Sequence, residues 1–337
     1  MKIARIGCII FFALLLQQPI AMAQQASSTV VNSEFPARPI TLIVPFSAGG
    51  PTDKLARELS EAMRKRLGNH NIIIENIGGA GGTIGATKVA NSKADGYTLL
   101  LAHIGMATWP DLYNNWGDRT KTGFEYLGLI NEVPMTLIGK PTLPADDYPA
   151  LIQWIKANQG KINLANGGPG SASQLCGLLF QSSIKADMTS IPYKGTAPAM
   201  VDLLGSQVDL MCSMTIGTSE QVAEKRVKGY AVTSESRVAT PAFAHLPTLD
   251  ELGLKGFKVT IWHGLYAPKN TPPQVVTKLN TALREILQDP VFIKQQEDLG
   301  ALVIKDGRNT PTGHRAFVDS ELLKWSEVIQ SANKVSQ

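Results

Sequence analysis

The 337-residue sequence is poor in charge, aromatics and cysteine: 18% of it is charged, 7% is aromatic, and it holds three cysteines. The 32 Lys and Arg stand against 28 Asp and Glu, a formal charge of +4. So small an excess excludes nucleic acid as the main partner. With 44% hydrophobic residues the chain is too apolar and too weakly charged to be disordered. The sequence has a single long hydrophobic run, Ile6 to Leu16, and it falls short of the roughly 20 residues a bilayer span needs. There is no G-x-x-x-x-G-K-[ST] phosphate loop, no G-x-S-x-G nucleophile elbow and no C-x-x-C pair, so nucleotide, serine-hydrolase and zinc chemistry lose their usual signatures. Gly79-Ala-Gly81 followed by Gly85 is one residue too widely spaced for a dinucleotide fingerprint. No cofactor and no metal is expected.

The apolar run reads as an address label. Lys2 and Arg5 precede it and Ala21-Met-Ala23 follows, the charged, apolar and small-residue regions of a secretory signal peptide. Residues 1–23 are therefore expected to be removed after Ala23, leaving an exported, nearly neutral chain. Cys8 leaves with the leader. Cys176 and Cys212 remain, and an oxidising compartment permits a disulfide between them. Their apolar surroundings favour the alternative of two buried free thiols.

From residue 39 the pattern alternates between short β-branched runs and amphipathic helices. Pro39–Pro45 reads as a buried strand. Leu55, Leu59, Met63 and Leu67 recur at spacing four, the stripe of a helix packed on one face. Ile72–Glu75 and Tyr97–Leu101 are further strands, with a short helix between them ending near Asn91. A second set of units runs from Tyr148 to about Leu252, with strands at Ile162–Ala165, Ser190–Pro192 and Val208–Cys212. Phe257–Ala267 is an extended run that returns the chain, and helices bearing Val275, Leu279, Leu283 and Leu287, then Val318, Leu322, Trp325 and Ile329, cover the first lobe. Repeated strand–helix–strand units predict parallel α/β sheets. Two crossings predict a discontinuous domain 1 (36–138 plus 257–337), a domain 2 (139–256) and a hinge between them.

The chemistry is expected where strands end at glycines and helices begin. The first such junction is Phe46, Ser47, Ala48, Gly49, Gly50, Pro51, Thr52 and Asp53. Others are Gly78–Gly85, which contains Thr83, then Asn166–Ser173, which contains Gly168 and Ser171, and Lys194, Gly195 and Thr196 after Tyr193. A helix start offers free amides and the positive end of its dipole, and glycine lets a ligand approach closely. Asp53 is read as a cap or as a carboxylate orienting nearby backbone or water. Four junctions over two lobes predict a cleft for a small anion held from both sides. His103 follows a strand onto the same edge, and His263 beside Trp262 lies in the returning run. With Trp109, these suggest a flat carboxylated ligand, imidazole donating to carboxylate and indole stacking. A competing reading makes the chain an exported enzyme with His103 as base. A third makes it a structural or sensory protein without a small ligand.

The segments Pro39–Asp53, Glu75-Asn76 with its glycines, Asp95–Leu99, Pro192-Tyr-Lys-Gly195, and Ala231–Ser234 with Leu246-Pro-Thr248 resemble the Bug-type receptors of tripartite tricarboxylate transporters, in order along the whole mature chain. The resemblance implies a two-lobed periplasmic binding protein of type II, each lobe a mostly parallel sheet flanked by helices. It also implies a monomer that closes on a small carboxylate and delivers it to membrane permease subunits without chemical turnover. Mapped onto this sequence, Ser47 to Thr52 and Thr83 line one side, and Asn166, Gly168, Ser171 and Lys194 to Thr196 the other. The sequence departs from the family pattern at Thr108–Gly117, and with His103 and Trp262-His263 this points to an aromatic dicarboxylate such as terephthalate.

Overall fold

The strand Ile40–Val44 keeps every side chain but Thr41 out of solvent, as a β-branched run covered on both faces should. The structure, a computed structural model, describes residues 35–335, so the leader expected at 1–23 lies outside the described residues. In chain order the elements begin with β1 (Ile40–Val44), α1 (Pro51–Arg66), β2 (Ile72–Asn76), α2 (Thr83–Ala90), β3 (Thr98–His103), α3 (Gly105–Leu112) and α4 (Arg119–Thr122). Next come β4 (Phe124–Gly139), α5 (Tyr148–Ala157), β5 (Asn163–Asn166), α6 (Ala172–Ile184), β6 (Thr189–Pro192) and α7 (Thr196–Leu204). The chain ends with β7 (Leu210–Met214), α8 (Thr215–Ala223), β8 (Lys228–Val232), β9 (Thr260–Pro268), α9 (Pro273–Ile286), α10 (Pro290–Asp298), β10 (Leu302–Val303) and α11 (Pro311–Val335).

The strands follow the order β2-β1-β3-β9-β4-β7-β5-β6, with β8 and β10 also pairing with β4. Each half keeps a parallel triplet, β2-β1-β3 in the first and β6-β5-β7 in the second. The middle differs: β9 runs antiparallel to both β3 and β4, and β4 runs antiparallel to β7. The returning run is thus a central strand, because it joins the halves and must travel against its neighbours. The expected helical stripes are buried: Leu55, Leu59 and Met63 on α1, Leu279 and Leu283 on α9, and Val318, Leu322, Trp325 and Ile329 on α11.

β4 belongs to both halves. Residues up to Pro134 pair with β9, and from Met135 onward the partners are β7 and β8. Thr233, just after β8, sits at this change of partner. Its Oγ accepts from the Met135 amide at 2.8 Å and donates to the Val259 carbonyl at 2.6 Å. Its own amide donates to the Met135 carbonyl at 2.9 Å. One buried hydroxyl therefore ties together three segments where the chain crosses. From Pro36 on, the described residues cluster as one compact unit.

Cys176 on α6 and Cys212 on β7 form a disulfide, which corrects the free-thiol expectation. Their Cα atoms are 6.1 Å apart, within bridging range. The residues are 36 apart in sequence, and only the packing of α6 on β7 brings them together.

Thr233→Val keeps the volume and removes both hydroxyl bonds. Urea titration should show a loss of about 1–3 kcal/mol; an unchanged midpoint would mean that this hydroxyl does not hold the crossing.

Candidate ligand site

The β1–α1 junction is braced from below. Gly49 takes φ +77°, a left-handed turn that suits glycine, and its amide donates to Asp53 Oδ2 at 2.9 Å. Asp53 also accepts from Arg57 Nε at 2.9 Å and Asn76 Nδ2 at 3.0 Å. Burial acts to raise the Asp53 carboxyl, but the Gly49 amide, Arg57 and Asn76 outweigh it and hold it below the usual carboxylate range. Asp53 is therefore a brace for the loop and not the helix cap. The cap position is Gly50, with extended backbone and no side chain. The first helical bond runs from the Lys54 amide to the Gly50 carbonyl at 3.0 Å, so the Thr52 and Asp53 amides have no acceptor within the helix.

The opposite wall is built alike. Ser171 caps α6, its Oγ accepting from the Gln174 amide at 3.3 Å. Asn166 braces its loop, accepting from the Gly168 amide at 2.9 Å and donating to Ser190 Oγ at 2.8 Å. Ser173 Oγ accepts from the Gly167 amide at 2.7 Å. Gly195 caps α7 with φ +132°.

These junctions meet face to face. A Cβ on Gly195 would lie 2.3 Å from Ser47 Oγ, a hydroxyl buried without a partner among the described residues. Tyr113, just past the end of α3, donates across to the Pro169 carbonyl at 2.6 Å, and Thr108 to the Gly170 carbonyl at 3.4 Å. Between the walls lies a cavity of about 20 Å³, room for one or two waters. Helix starts surround it: Gly50, Pro51 and Thr52 of α1, Ser171, Ala172 and Ser173 of α6, and Gly195 and Thr196 of α7. Phe46, His103, Gly167 and the paired Met135 and Met214 complete the lining. No charged side chain lines it. Among the described residues no group of His, Cys, Asp and Glu stands ready to hold a metal ion.

His103 and His263 face each other as register partners on β3 and β9, with ring centroids 5.9 Å apart. The Phe46 ring stacks on His103 at 4.4 Å. His103 Nδ1 accepts from the Gly105 amide at 3.2 Å, which leaves the proton on Nε2. Burial holds its pKa down at about 3, so the ring is a neutral donor without a free basic nitrogen, unsuited to act as a general base. His263, depressed by burial and by its neighbour His103, stands within 3.3 Å of Thr52 Oγ and 2.8 Å of Asn131 Oδ1.

Of the residues expected from sequence, Phe46, Gly50, Pro51, Thr52, His103, Ser171, Gly195 and Thr196 converge on the cavity. Ser47, Ala48 and Gly49 belong to the same loop but not to the lining, Asp53, Asn166 and Gly168 are buried next to lining residues, and Lys194 is exposed beside Gly195. His263 stands one side chain back, behind Thr52. Two expectations need correction. Trp262, next to His263 on a strand, points to the other face and donates from Nε1 to Glu321 at 3.1 Å. Thr83 donates back to the Ala80 carbonyl at 2.9 Å and closes its own turn. Trp109 likewise is buried, its Nε1 donating to the Gly81 carbonyl at 3.1 Å; no indole stacks on the cavity. The reading missed Gly167, Ala172, Ser173, Met135 and Met214. The first three stand in the Asn166–Ser173 glycine loop, whereas the methionines lie inside strands and carry no local signal.

Residues 55–334 match the model of the tripartite tricarboxylate transporter family receptor. The chain belongs to this family. BugT of Bordetella pertussis is 34% identical over 311 residues, covering 90% of this chain and 92% of that protein. The solved periplasmic binding protein BugD is 48% identical, with a TM-score of 0.85 over 89% of this chain and 99% of that one. MatC from Rhodopseudomonas palustris, solved with bound malate, is 35% identical, with a TM-score of 0.82 over 88% of this chain and all (100%) of that one. As a receptor of this family the protein is a periplasmic solute-binding protein with the α/β binding-protein fold, and not an enzyme.

Gly195→Ala should leave the protein folded yet hold the α7 and α1 junctions apart, weakening ligand binding about 100-fold in calorimetry; unchanged affinity would show that this approach is dispensable. The buried imidazoles give a second expectation. His103, His263 and His314 stay neutral when folded, whereas the unfolded chain protonates them below about pH 6.5. Stability is therefore present above that pH and falls as pH drops, by about 1.4 kcal/mol per pH unit for each ring once below it. His103→Gln should make the stability slope between pH 7 and pH 5 shallower; a slope equal to the parent's would refute the neutral, buried assignment.

Proposed function

We propose that the protein captures a small dicarboxylate of about four carbons between its two halves and delivers it to the membrane permease subunits of a tripartite transporter. Three helix starts aimed at one cavity that no charged side chain lines carry this reading. Amides and dipoles there suit carboxylates without the cost of burying an arginine. In this reading the chain divides into domain 1 (36–138 plus 257–337) and domain 2 (139–256), and β4, which changes partners between Pro134 and Met135, flexes together with the segments after β8 and before β9 to admit a guest.

The sequence alone favoured an aromatic dicarboxylate such as terephthalate. That preference rested on the Thr108–Gly117 segment, on His103 and His263, and on the indoles of Trp109 and Trp262; the indoles are buried away from the cavity, so a compact aliphatic ligand is the better reading. A relative solved with malate supports the same size. Micromolar affinity corresponds to about −8.2 kcal/mol. Charge-assisted hydrogen bonds contribute about 1.5–3 kcal/mol each, so four to six of them on two carboxylates reach that level after ordering and desolvation.

A thermal-shift screen of succinate, malate, citrate, adipate and terephthalate, followed by calorimetry, tests the proposal. A single site of micromolar affinity for a four-carbon acid, with the ligand recovered unchanged, is expected. Stabilisation by terephthalate alone would restore the aromatic reading, and no stabilisation by any carboxylate would defeat the receptor assignment for this cavity.

A further inference from the structure

His103, His263 and Asn131 occupy one row across three adjacent strands, β3, β9 and β4. Behind this row runs a buried chain of hydrogen bonds whose direction can be read from its far end. Glu58 of α1, whose carboxyl is pushed up by burial against the opposing pull of Lys54 and Gln296, accepts from Gln296 Nε2. The oriented Gln296 amide then turns its oxygen to Asn131, whose Nδ2 donates at 2.7 Å. That places the Asn131 oxygen against His263 Nδ1 at 2.8 Å, so Nδ1 carries the proton. His263 Nε2 is left as an acceptor, and among the described residues its partner is the Thr52 hydroxyl, 3.3 Å away. Asn131, Gln296 and His263 are wholly buried, so water does not compete with this order.

Thr52 lines the cavity while its proton points away into the chain. What it shows the ligand is oxygen lone pairs. His103 is wired the opposite way: its Nδ1 is filled by the Gly105 amide, and its Nε2–H, without a partner among the described residues, is free to donate. The cavity wall thus carries one fixed acceptor beside one fixed donor, and every other polar group that the starts of α1, α6 and α7 bring to the lining is a backbone group or a rotatable hydroxyl.

We infer that the Glu58–Gln296–Asn131–His263 chain acts as a positioning relay that makes Thr52 an obligate acceptor, and that the site thereby selects carboxylates bearing a hydrogen-bond donor, a hydroxyl or an ammonium, on the carbon next to a carboxyl group. A bare methylene at that position leaves the Thr52 oxygen desolvated and unpaired, which is the costly side of buried hydrogen bonding. Family membership does not require this; it follows from residues of this chain, and it rests on the receptor reading of the same cavity.

Two measurements on the intact protein decide it. Imidazole ¹⁵N shifts should show His263 protonated at Nδ1 and bare at Nε2, with His103 the reverse, and Glu58→Gln should convert His263 to a mixture of tautomers, because a neutral amide at the end of the chain no longer fixes its direction. Calorimetry with succinate, L-malate and L-aspartate, and with propionate, L-lactate and L-alanine, should show the donor-bearing member of a set bound about tenfold or more tightly than its parent acid. That preference should shrink to about threefold or less in Glu58→Gln. Malate and aspartate then distinguish a hydroxyl from an ammonium as the donor. A His263 ring protonated at Nε2, or equal affinities for succinate and its substituted forms in the parent protein, would overturn the inference. Failure of all six acids to bind would instead count against the receptor reading, and the nitrogen shifts would still decide the direction of the chain.

Discussion

The structure depends on backbone amides that no helix can satisfy by itself. The first turns of α1, α6 and α7 each leave N–H groups without carbonyls, and the topology directs all three at one point. For α1, Asp53, Arg57 and Asn76 hold the loop so that its amides face inward. For α6, Asn166, Ser171 and Ser173 do the same with neutral groups. The outcome is a site with positive potential and no positive side chain. Such a site need not bury a counter-charge when empty, which a receptor that loads and unloads repeatedly would otherwise have to manage.

The same economy shapes the sheet. β4 runs through both halves and changes partners between Pro134 and Met135, with Thr233 tying the crossing segments. Met135 and Met214 pair just beyond that change and form part of the cavity lining. The strand that links the halves therefore also contributes a wall of the site through Met135. The disulfide between α6 and β7 fastens one of the anion-facing helix starts to the strand that carries Met214.

Much of this could be read in advance, and the parts that could not share a cause. Strand–glycine–helix junctions are local: Phe46–Asp53 and Asn166–Ser173 announce themselves because the turn, the cap and the helix stripe are contiguous. The stripes at Leu55, Leu59 and Met63 and at Val318, Leu322 and Trp325 were legible for the same reason. What escaped is long-range. β4 has no flanking helix pattern to mark it, Met135 and Met214 meet only through strand pairing, and Cys176 reaches Cys212 only through the packing of α6. Trp262 was misplaced because its neighbour His263 faces the site, and on a strand adjacent residues face opposite ways. Thr83 looked like a ligand hydroxyl but satisfies its own turn, a choice that Ser and Thr at helix starts often make.

The histidines show how register converts an ambiguous residue into a specific one. On sequence alone His103 could be a base, a donor or a structural ring. Pairing β3 with β9 and β9 with β4 sets it in a row with His263 and Asn131, and the partners of the two rings then assign their protons in opposite senses. Burial removes the charge from both, which is consistent with a site that binds anions by dipoles and not by cations. A charged imidazole beside the helix starts would strengthen attraction to every anion alike. Neutral rings of fixed tautomer add little to overall attraction but discriminate between ligands by where those ligands carry hydrogen. In a cavity whose amides would accept almost any carboxylate, that distinction is the one the side chains are left to make.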